Sequence, residues 1–550
     1  MVEAHSRPAW YSQAVIYAID VGSYRDSDGD GVGDLVGVSQ ALPYLQRLGI
    51  DCIWLLPFFA TENRDNGYDV TDYYAVDPQF GTLGDFGDLV DEAEQRGIRI
   101  VIDLVVNHTS DRHPWFQAAR SRDPSPYRDY YIWNDQPPPL REQPPSIFPD
   151  RVPSVWTWDE QRGSFYYHQF YPFQPALNHL NPDVRDEVRR IIAFWLRLGV
   201  AGFRLDAASH LIDPPLDGEP ADRVEILGEY RRHVVKGRGD AILIGEADLP
   251  EKDLEPLMGE HALQLLFNFV LNGHAFLAMA RGSAEPIVEA IGRLPHPADA
   301  GWANFLRNLD EVDLERLTDA EREEVFAAFA PDEGMRIFNR GIRRRLASML
   351  DGDQRRLELA YAILLALPGA PVIVYGDEIG MGDDQSLPER EAVRTAMQWT
   401  SGTRAGFTPA DTNRRSVKVI SGGRFGAERV NVADQENDPG SLLRWLEEAI
   451  RVRRATPELV AGGAEVTALA DGAVLARRCE LDGVRVVALH NLAGHQVSLS
   501  RDELGLEAGP VQRLLADGRS PDPTAGKRAV RLAPYGYLWL RMEWSDEEAG

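Results

Sequence analysis

The sequence predicts an α/β fold whose main domain is a (β/α)8 TIM barrel. Eight short apolar runs rich in Val, Ile and Leu occur in the first 380 residues. Such runs are typical of strands that are buried on both faces of a parallel sheet. Amphipathic segments separate several of these runs, which is the alternation that parallel strands require. Eight strands in this order favour a closed barrel, and an open sheet is the alternative that counting leaves.

The elements can be placed in chain order from these patterns. The predicted strands are Ala14–Val21, Ile50–Phe58, Ile98–Val106, Gly199–Ala207, Ala241–Ala247, Ala262–Val270, Trp302–Asp310 and Ala370–Gly380. The predicted helices are Leu83–Gln95, Val184–Leu198, Arg223–Val235 and Arg355–Leu367.

Two segments interrupt or follow this alternation, as expected of a chain too long for one hydrophobic core. Residues 109–181 are rich in Pro and aromatic residues, and so long an irregular stretch predicts a subdomain inserted after strand three. Residues 457–550 contain alternating runs with Gly and Asp turns, which predict a C-terminal antiparallel β-sandwich. The barrel would then take residues 1–108 and 182–456. The predicted sandwich strands are Ala473–Cys479, Val484–Asn491, Val511–Ala516 and Ala529–Leu540.

Composition excludes several classes of protein. The chain has 58 Lys and Arg against 86 Asp and Glu, a net charge of −28, which disfavours nucleic acid and anionic membranes as partners. A polar start and the lack of an 18-residue apolar run argue against a signal peptide and a membrane span, so a cytoplasmic protein is expected. Two cysteines, Cys52 and Cys479, are too few for a disulfide framework.

Three carboxylates follow predicted strands at their carboxyl ends, where the active site of a barrel gathers. They are Asp206, Glu246 and Asp310, after strands four, five and seven. Arg204 shares a strand face with Asp206 and would keep it ionised, as a nucleophile requires. An ionised carboxylate opposite a protonated one is the arrangement of retaining glycoside hydrolysis. A single buried Asp would suggest a structural ion pair, but three at strand ends favour catalysis.

The first βα loop predicts a cation site. It contains Asp26, Asp28, Asp30 and Asp34 interleaved with glycines, and such closely spaced carboxylates suit Ca²⁺ or Mg²⁺. The loop is not an EF-hand, because Gly37 stands at the twelfth position where a bidentate Glu is needed. A bare acidic turn is the alternative. Nothing in the sequence predicts an organic cofactor.

The blocks Asp103–His108, Gly202–His210, Ile244–Glu246 and Phe305–Asp310 resemble the four signature regions of the α-amylase family, glycoside hydrolase family 13. Further segments resemble the trehalose synthase subgroup of that family, and the resemblance runs from about residue 10 to 455. These segments are Trp10–Tyr11, Ala14–Tyr17, Trp54–Phe58, Asp65–Asp69, Asn107–Asp111, His113–Phe116, Gly341–Leu346, Tyr375–Gly382 and Met397–Trp399.

The resemblance implies a role for each candidate catalytic residue. Asp206 would be the nucleophile, oriented by Arg204, and Glu246 would be the general acid/base. Asp310 would grip the 2- and 3-hydroxyls of a distorted sugar. The family loop that corresponds to residues 26–34 holds a structural cation, here through four Asp side chains and the carbonyl of Val32.

The resemblance also implies residues that bind the substrate. His108 would donate to the 6-hydroxyl of the glucose, and Tyr68 would stack beneath its ring. Asp65 and Arg394 would pair across the non-reducing end and close the site to a pocket for one terminal glucosyl unit. For Arg394 the alternative is an ordinary surface Arg.

Three departures from the family pattern affect these expectations. Leu309 stands where the family has a His that donates to the same hydroxyls as the third carboxylate, and Leu cannot hydrogen-bond. Loss of such a donor would cost about 10²–10³ in rate. Ala176 replaces an Asp that supports the floor beside His108. The loop after Asp206, residues 207–220, is shorter than in the subgroup, so hydrolysis is expected to compete with transfer.

Together these features predict a retaining enzyme that transfers glucosyl units through a covalent β-glucosyl-Asp206 intermediate. Its expected substrate is a small α-glucoside such as maltose or trehalose, which it would interconvert. One alternative is an α-glucosidase or a transglucosidase that acts on another small α-glucoside. Another is a catalytically weakened, sugar-binding relative. No nucleic acid or membrane partner is expected, and a homo-oligomer is left open.

Overall fold

The computed structural model describes residues 9–148, 150–212, 220–259, 262–297, 299–409, 417–506, 511–521 and 529–543. Eight parallel strands close into a barrel, in which each strand pairs with its neighbours in chain order and the last pairs with the first. The prediction of a closed barrel is confirmed, and the open sheet is excluded. The strands are β1 Ile16–Ile19, β2 Cys52–Leu55, β3 Arg99–Leu104, β4 Gly202–Leu205, β5 Ile242–Gly245, β6 Leu265–Phe267, β7 Gly301–Phe305 and β8 Ala370–Val374.

Long helices cover the outside of this barrel, and capping side chains mark where several of them begin. Asp34 accepts a hydrogen bond from the backbone N–H of Gly37 at 2.7 Å, and Thr82 and Asp85 form a capping box. All four predicted helices are present. The helices of eight or more residues are α1 Leu35–Leu48, α2 Leu83–Gln95, α3 Pro182–Arg197, α4 Pro220–Gly237, α5 Phe269–Arg281, α6 Glu285–Arg293, α7 Asp319–Phe329, α8 Gln354–Ala366 and α9 Leu442–Arg454.

The loops at the carboxyl ends of the barrel strands carry small sheets of their own. A hairpin follows β2, a three-stranded antiparallel sheet lies in the segment after β3, and another three-stranded sheet follows β7. The exact domain boundaries stay predictions. The strands are Phe59–Thr61 and Val70–Val76 after β2, Trp133–Asn134, Trp156–Asp159 and Ser164–Tyr167 after β3, and Val312–Asp313, Arg336–Ile337 and Gly341–Ile342 after β7.

Among the described residues after 456, seven antiparallel strands form the C-terminal part of the chain. A sheet of five strands and a sheet of two face each other across one apolar cluster. The predicted strand Ala529–Leu540 is wrong as a single element, because a turn with Tyr535 at φ 55° divides it between the two sheets. Two strands were not predicted. The five-stranded sheet has the order Gly463–Leu469, Val474–Leu481, Val484–Asn491, Tyr537–Glu543, Gln512–Ala516, and the other pairs Val497–Ser500 with Ala529–Leu532.

The barrel strands are mostly apolar and buried, and the polar side chains of Asp103 and Arg204 lie near the carboxyl ends of β3 and β4. Among the described residues, no helix is both long enough and apolar enough to span a membrane. The described shorter α-helices are Trp10–Gln13, Val21–Tyr24, Pro114–Ala119, Glu251–Leu254, Leu346–Met349, Val432–Glu436 and Glu458–Ala461.

Candidate active site

A cavity of about 640 Å³ opens at the carboxyl ends of the barrel strands. Its volume falls within the range of small-molecule sites. The structure therefore brings the three candidate carboxylates together with four of the five predicted substrate-binding residues. The predicted residues that line the cavity are Asp65, Tyr68, His108, Arg204, Asp206, Glu246 and Asp310.

The guanidinium of Arg204 lies among three carboxylates. One terminal nitrogen, Nη1, is 2.6 Å from Oδ1 of Asp103 and 2.5 Å from Oδ1 of Asp206, and the other, Nη2, is 2.6 Å from Oε1 of Glu246. Arg204 itself is 2% exposed. Asp206 comes directly after the end of β4 at Leu205. Its contact with Arg204 shows that the two side chains lie on the same side of the chain, as their spacing predicts.

The environment of each carboxylate sets where a proton resides. Burial raises the pKa of Glu246 to about 7, and the charges of Asp206 and Asp310 add to that rise while Arg204 opposes it. Burial also raises the pKa of Asp206, although Arg204 stabilises its ionised form. Arg204 favours the ionised form of Asp206, as the sequence predicts, but burial has the larger effect on its pKa. A pKa of about 7 suits Glu246 to a group that gives up and takes back a proton near neutral pH.

Asp310 is ionised because two arginine side chains hold it. Burial by itself would raise its pKa, but the charges of Arg390 and Arg394 outweigh burial and keep the pKa below its usual range. Oδ1 of Asp310 accepts from Nη2 of Arg394 at 2.8 Å and lies 3.3 Å from Nη1 of Arg390. Arg394 is 6% exposed, so the surface alternative is wrong.

The predicted pair between Asp65 and Arg394 is also wrong. Arg394 donates to Asp310 and, through Nε, to the carbonyl of Leu309 at 3.1 Å. Asp65 instead accepts from Nε2 of Gln174 at 2.8 Å. The reason is geometric, since the guanidinium of Arg394 is already engaged on the β7 side of the cavity.

Backbone contacts hold His108 in the absence of the family Asp. Ala176 forms an isolated antiparallel bridge with His108, and the N–H of Leu177 donates to the carbonyl of Asn107 at 2.9 Å. Burial lowers the pKa of His108 to about 4, so its ring is neutral at pH 7. Nε2 of His108 lies 3.0 Å from the carbonyl oxygen of Tyr68. Donation from His108 to a sugar hydroxyl stays a prediction, as does stacking on the Tyr68 ring.

Sequence reasoning missed several residues of this site, among them Asp103, Arg390, Phe148 and Phe338. Asp103 contacts Arg204 and accepts from Nε1 of Trp54 at 2.9 Å. Arg390 lies over the rings of Phe148 and Phe338, with 5.4 and 5.5 Å from its central carbon to the ring centres, and all three line the cavity. The position of Asp103 at the end of β3 was a usable signal. No local pattern marks Phe148 and Phe338, because they come from separate parts of the chain.

The candidate cation loop brings three of its four carboxylates together. Carboxylate oxygens of Asp26, Asp28 and Asp34 lie within 4.8 Å of one another, close enough to share one cation. The fourth predicted side chain, Asp30, is not part of this group. Its Oδ1 accepts from the backbone N–H of Val32 at 2.8 Å instead.

The same loop explains why Gly37 occupies the position of the EF-hand Glu. A Cβ atom on Gly37 would lie 2.0 Å from the carbonyl oxygen of Arg25, which no side chain can tolerate. Gly37 also donates its N–H to Asp34 at the start of α1. The loop therefore packs its backbone against α1 and has no room for a twelfth-position ligand.

The shortened loop after Asp206 is described only in part. Residues 207–212 follow the nucleophile candidate, and Ala207 donates its N–H to Oε2 of Glu246 at 3.1 Å. Residues 213–219, on which the rest of that prediction depends, lie outside the described residues.

Comparison with known proteins places the chain in a family. The model of the α-amylase catalytic domain matches residues 18–292 and 328–462. A trehalose synthase of Pimelobacter sp. is 39% identical over 558 residues, covering 98% of this chain and 97% of that protein. A trehalose synthase/amylase of Mycobacterium tuberculosis is 42% identical over 551 residues, covering 97% of this chain and 90% of that protein.

Solved structures agree with these relatives. An α-amylase from H. orenii has a TM-score of 0.77 at 28% identity, covering 97% of this chain and 100% of that chain. A trehalulose synthase from Pseudomonas mesoacidophila has a TM-score of 0.77 at 25% identity, covering 97% and 99%. Because relatives with this degree of identity align over nearly the whole chain, we conclude that the protein belongs to the α-amylase family.

Proposed function

We propose that the protein is a retaining α-glucosyl-transferring enzyme that interconverts maltose and trehalose. The observation that carries this proposal is the division of charge in the cavity. Glu246 holds a proton near neutral pH, whereas Asp310 is ionised and Asp206 contacts Arg204. That division suits an acid and a nucleophile acting on one glycosidic bond. The trehalose synthases among the relatives support the choice of substrates.

The proposed reaction has two steps. In the first, a carboxylate oxygen of Asp206 attacks the anomeric carbon, while Glu246 donates its proton to the departing glycosidic oxygen. In the second, Glu246 accepts a proton from a hydroxyl of the acceptor glucose, whose oxygen displaces Asp206. Two inversions retain the α configuration. Asp310, which accepts only, would bind donor hydroxyls of the sugar ring.

The inner end of the cavity supports action on a terminal glucosyl unit. Gln174 donates to Asp65, and Arg390 and Arg394 lie around Asp310. We infer that these side chains close one end of the space beside the carboxylates. The acceptor sugar would then occupy the outer part, where Phe148 lines the wall.

A structural Ca²⁺ or Mg²⁺ in the loop of residues 26–34 is part of the same proposal. The clustered oxygens of Asp26, Asp28 and Asp34 fit an oxygen-seeking cation, with the Val32 carbonyl as a further ligand. The cation would order the loop that leads into α1. A cytoplasmic location and a homo-oligomeric state are kept as expectations alongside it.

The test is product analysis after separate incubation with maltose, trehalose and sucrose. Interconversion of maltose and trehalose with little free glucose is the expected result. Glucose as the sole product would make the protein an α-glucosidase, and transfer to a different sugar would make it a transglucosidase. No turnover by the wild type, with glucosyl ligands still bound, would favour the sugar-binding relative and overturn the proposal.

A further inference from the structure

The turn Asn308-Leu309-Asp310 at the end of β7 presents its side chains in an unexpected way. Leu309 has φ 72°, in the left-handed region that non-glycine residues seldom occupy, and it is 1% exposed within the main apolar core. Its carbonyl accepts from Nε of Arg394 at 3.1 Å. Asn308 and Asp310 line the cavity, whereas Leu309 is not among the lining residues.

The orientation of the Asn308 amide is determined by its neighbour. Oδ1 of Asn308 accepts from the backbone N–H of Asp310 at 3.2 Å, which is an Asx turn. The amide oxygen is thereby engaged, and Nδ2 is the group that remains free to donate. Among the described residues, none accepts a hydrogen bond from Nδ2 of Asn308. This atom is accessible rather than buried, and Asn308 lines the cavity.

The chemistry of the adjacent carboxylate indicates what Nδ2 would bind. Asp310 is ionised and can only accept, so a sugar hydroxyl that donates to it still presents oxygen lone pairs. Those lone pairs can accept a further hydrogen bond from a donor on the cavity wall. The arginines beside Asp310 direct their recorded hydrogen bonds at Asp310, Glu311 and the Leu309 carbonyl. Nδ2 of Asn308 is a neutral donor that lies two residues from Asp310 on the wall of the same cavity.

We propose that Asn308 donates, through Nδ2, to the sugar hydroxyl that Asp310 accepts from, and so binds the glucosyl unit directly. This inference rests on the proposed function for the identity of the sugar. It would supply the hydrogen bond that Leu309 cannot make, from the residue before it. Asn308 would then stabilise the turn through Oδ1 and bind the substrate through Nδ2. If its role were purely structural, it would only stabilise the turn.

Two variants separate these roles. Asn308→Asp keeps an oxygen that accepts from the Asp310 N–H but has no N–H group to donate, whereas Asn308→Ala removes both. Each variant is compared with wild type for binding of 1-deoxynojirimycin and of its 2-deoxy and 3-deoxy analogues by isothermal titration calorimetry. Comparing ligands within one variant cancels any general effect on folding or on local charge, as in a double-mutant cycle.

In wild type, removing the recognised hydroxyl should weaken binding about 10-fold or more, as expected of a hydrogen bond in a buried site. In both variants, removing the same hydroxyl from the ligand should change the binding free energy by less than half as much as in wild type. Equal losses in wild type and variants for both analogues would overturn the proposal, and so would a wild type that binds none of the ligands. Binding does not require turnover, so failure of maltose–trehalose interconversion would be recorded separately.

Discussion

One arginine side chain, that of Arg204, determines much of the electrostatics at the level of single residues. Its guanidinium contacts Asp103, Asp206 and Glu246 at once, so each carboxylate competes for the same positive charge. Burial raises the pKa of all three, and Arg204 opposes the rise in each. Removing the charge of one of these carboxylates should therefore change the pKa values of the other two.

Asp206→Asn should lower turnover of maltose about 10⁴-fold or more, because the amide cannot form the glucosyl ester. Binding of 1-deoxynojirimycin should persist, since Arg204 and Asp310 remain in place. Turnover is measured by chromatography and binding by calorimetry. Glu246→Gln is the matched control, since it removes the acid but leaves the nucleophile. Asp206→Asn with unchanged turnover would rule out Asp206 as the nucleophile.

The dependence of kcat/KM on pH should follow the two carboxylates. Activity should fall as the pH rises through about 7, because Glu246 has to be protonated to act as the acid. It should also fall at low pH, beginning above the pKa of an exposed Asp, because burial raises the pKa of Asp206. With α-glucosyl fluoride, whose leaving group needs no proton, Glu246→Gln should lose the decline above pH 7. A decline that persists in this variant would assign it to another group.

At the level of elements, the acidic loop of residues 26–34 and helix α1 depend on one another. Asp34 caps α1 and also belongs to the carboxylate cluster, whereas Asp28 is exposed and accepts only from the N–H of Asp30. Loss of Asp34 would thus affect both the helix and the proposed cation site, and loss of Asp28 would affect the proposed site alone.

Calcium should raise the thermal midpoint of wild type, and a chelator should lower it. A ligand that binds only the folded state stabilises it by about 2.7 kcal/mol at 100 times its Kd. Asp28→Asn should abolish the response to calcium with little change in its absence. Asp34→Ala should abolish the response and also cost about 1 kcal/mol without calcium, through the lost cap. Differential scanning calorimetry with and without chelator measures both, and an unchanged response in both variants would exclude the site.

For the whole molecule, one buried arginine of the C-terminal sheet, Arg477, contacts the barrel, and a second, Arg453 on α9, binds the end of α8 and the residue before β8. Arg477 donates to the carbonyls of Ala366 and, at 2.8 Å, Leu459, and Arg453 donates to those of Leu365 and, at 2.7 Å, Gly369. Ala366 ends α8, whose last carbonyls have no partner within the helix. The C-terminal sheet therefore completes the end of the helix that leads into β8.

Arg477→Met should destabilise the protein by about 2 kcal/mol, because buried helix carbonyls lose their donor. The catalytic rate at 25 °C should stay unchanged, since none of the cavity residues contacts Arg477. Arg531→Met removes an exposed arginine of the same region and serves as the control. Denaturant unfolding measures the difference. Equal midpoints for the two variants would show that the contacts to α8 contribute nothing to stability.

Local pattern alone was enough to predict the barrel and its three carboxylates. Eight apolar runs marked the strands because a strand buried on both faces has to be apolar throughout, and the polar residues after them marked the active-site end. One feature of the C-terminal strands escaped this reasoning. The run from Ala529 to Leu540 divides between two sheets, and its turn depends on contacts such as that of the Tyr535 N–H with the carbonyl of Ala493.

The partners of individual side chains were settled by the folded chain. Arg394 joins Asp310 rather than Asp65, and Arg390 meets Phe148 and Phe338, across separations in sequence that no local pattern encodes. Proton positions depend on burial, which exists only after the barrel has closed. From its place in the sequence, the Leu309 side chain was expected in the active site. The left-handed backbone at Leu309 directs this side chain into the core instead. The types of residue and their order in the sequence therefore predicted the chemistry. Which side chains contact one another was determined by tertiary packing, because those contacts join residues far apart in the sequence.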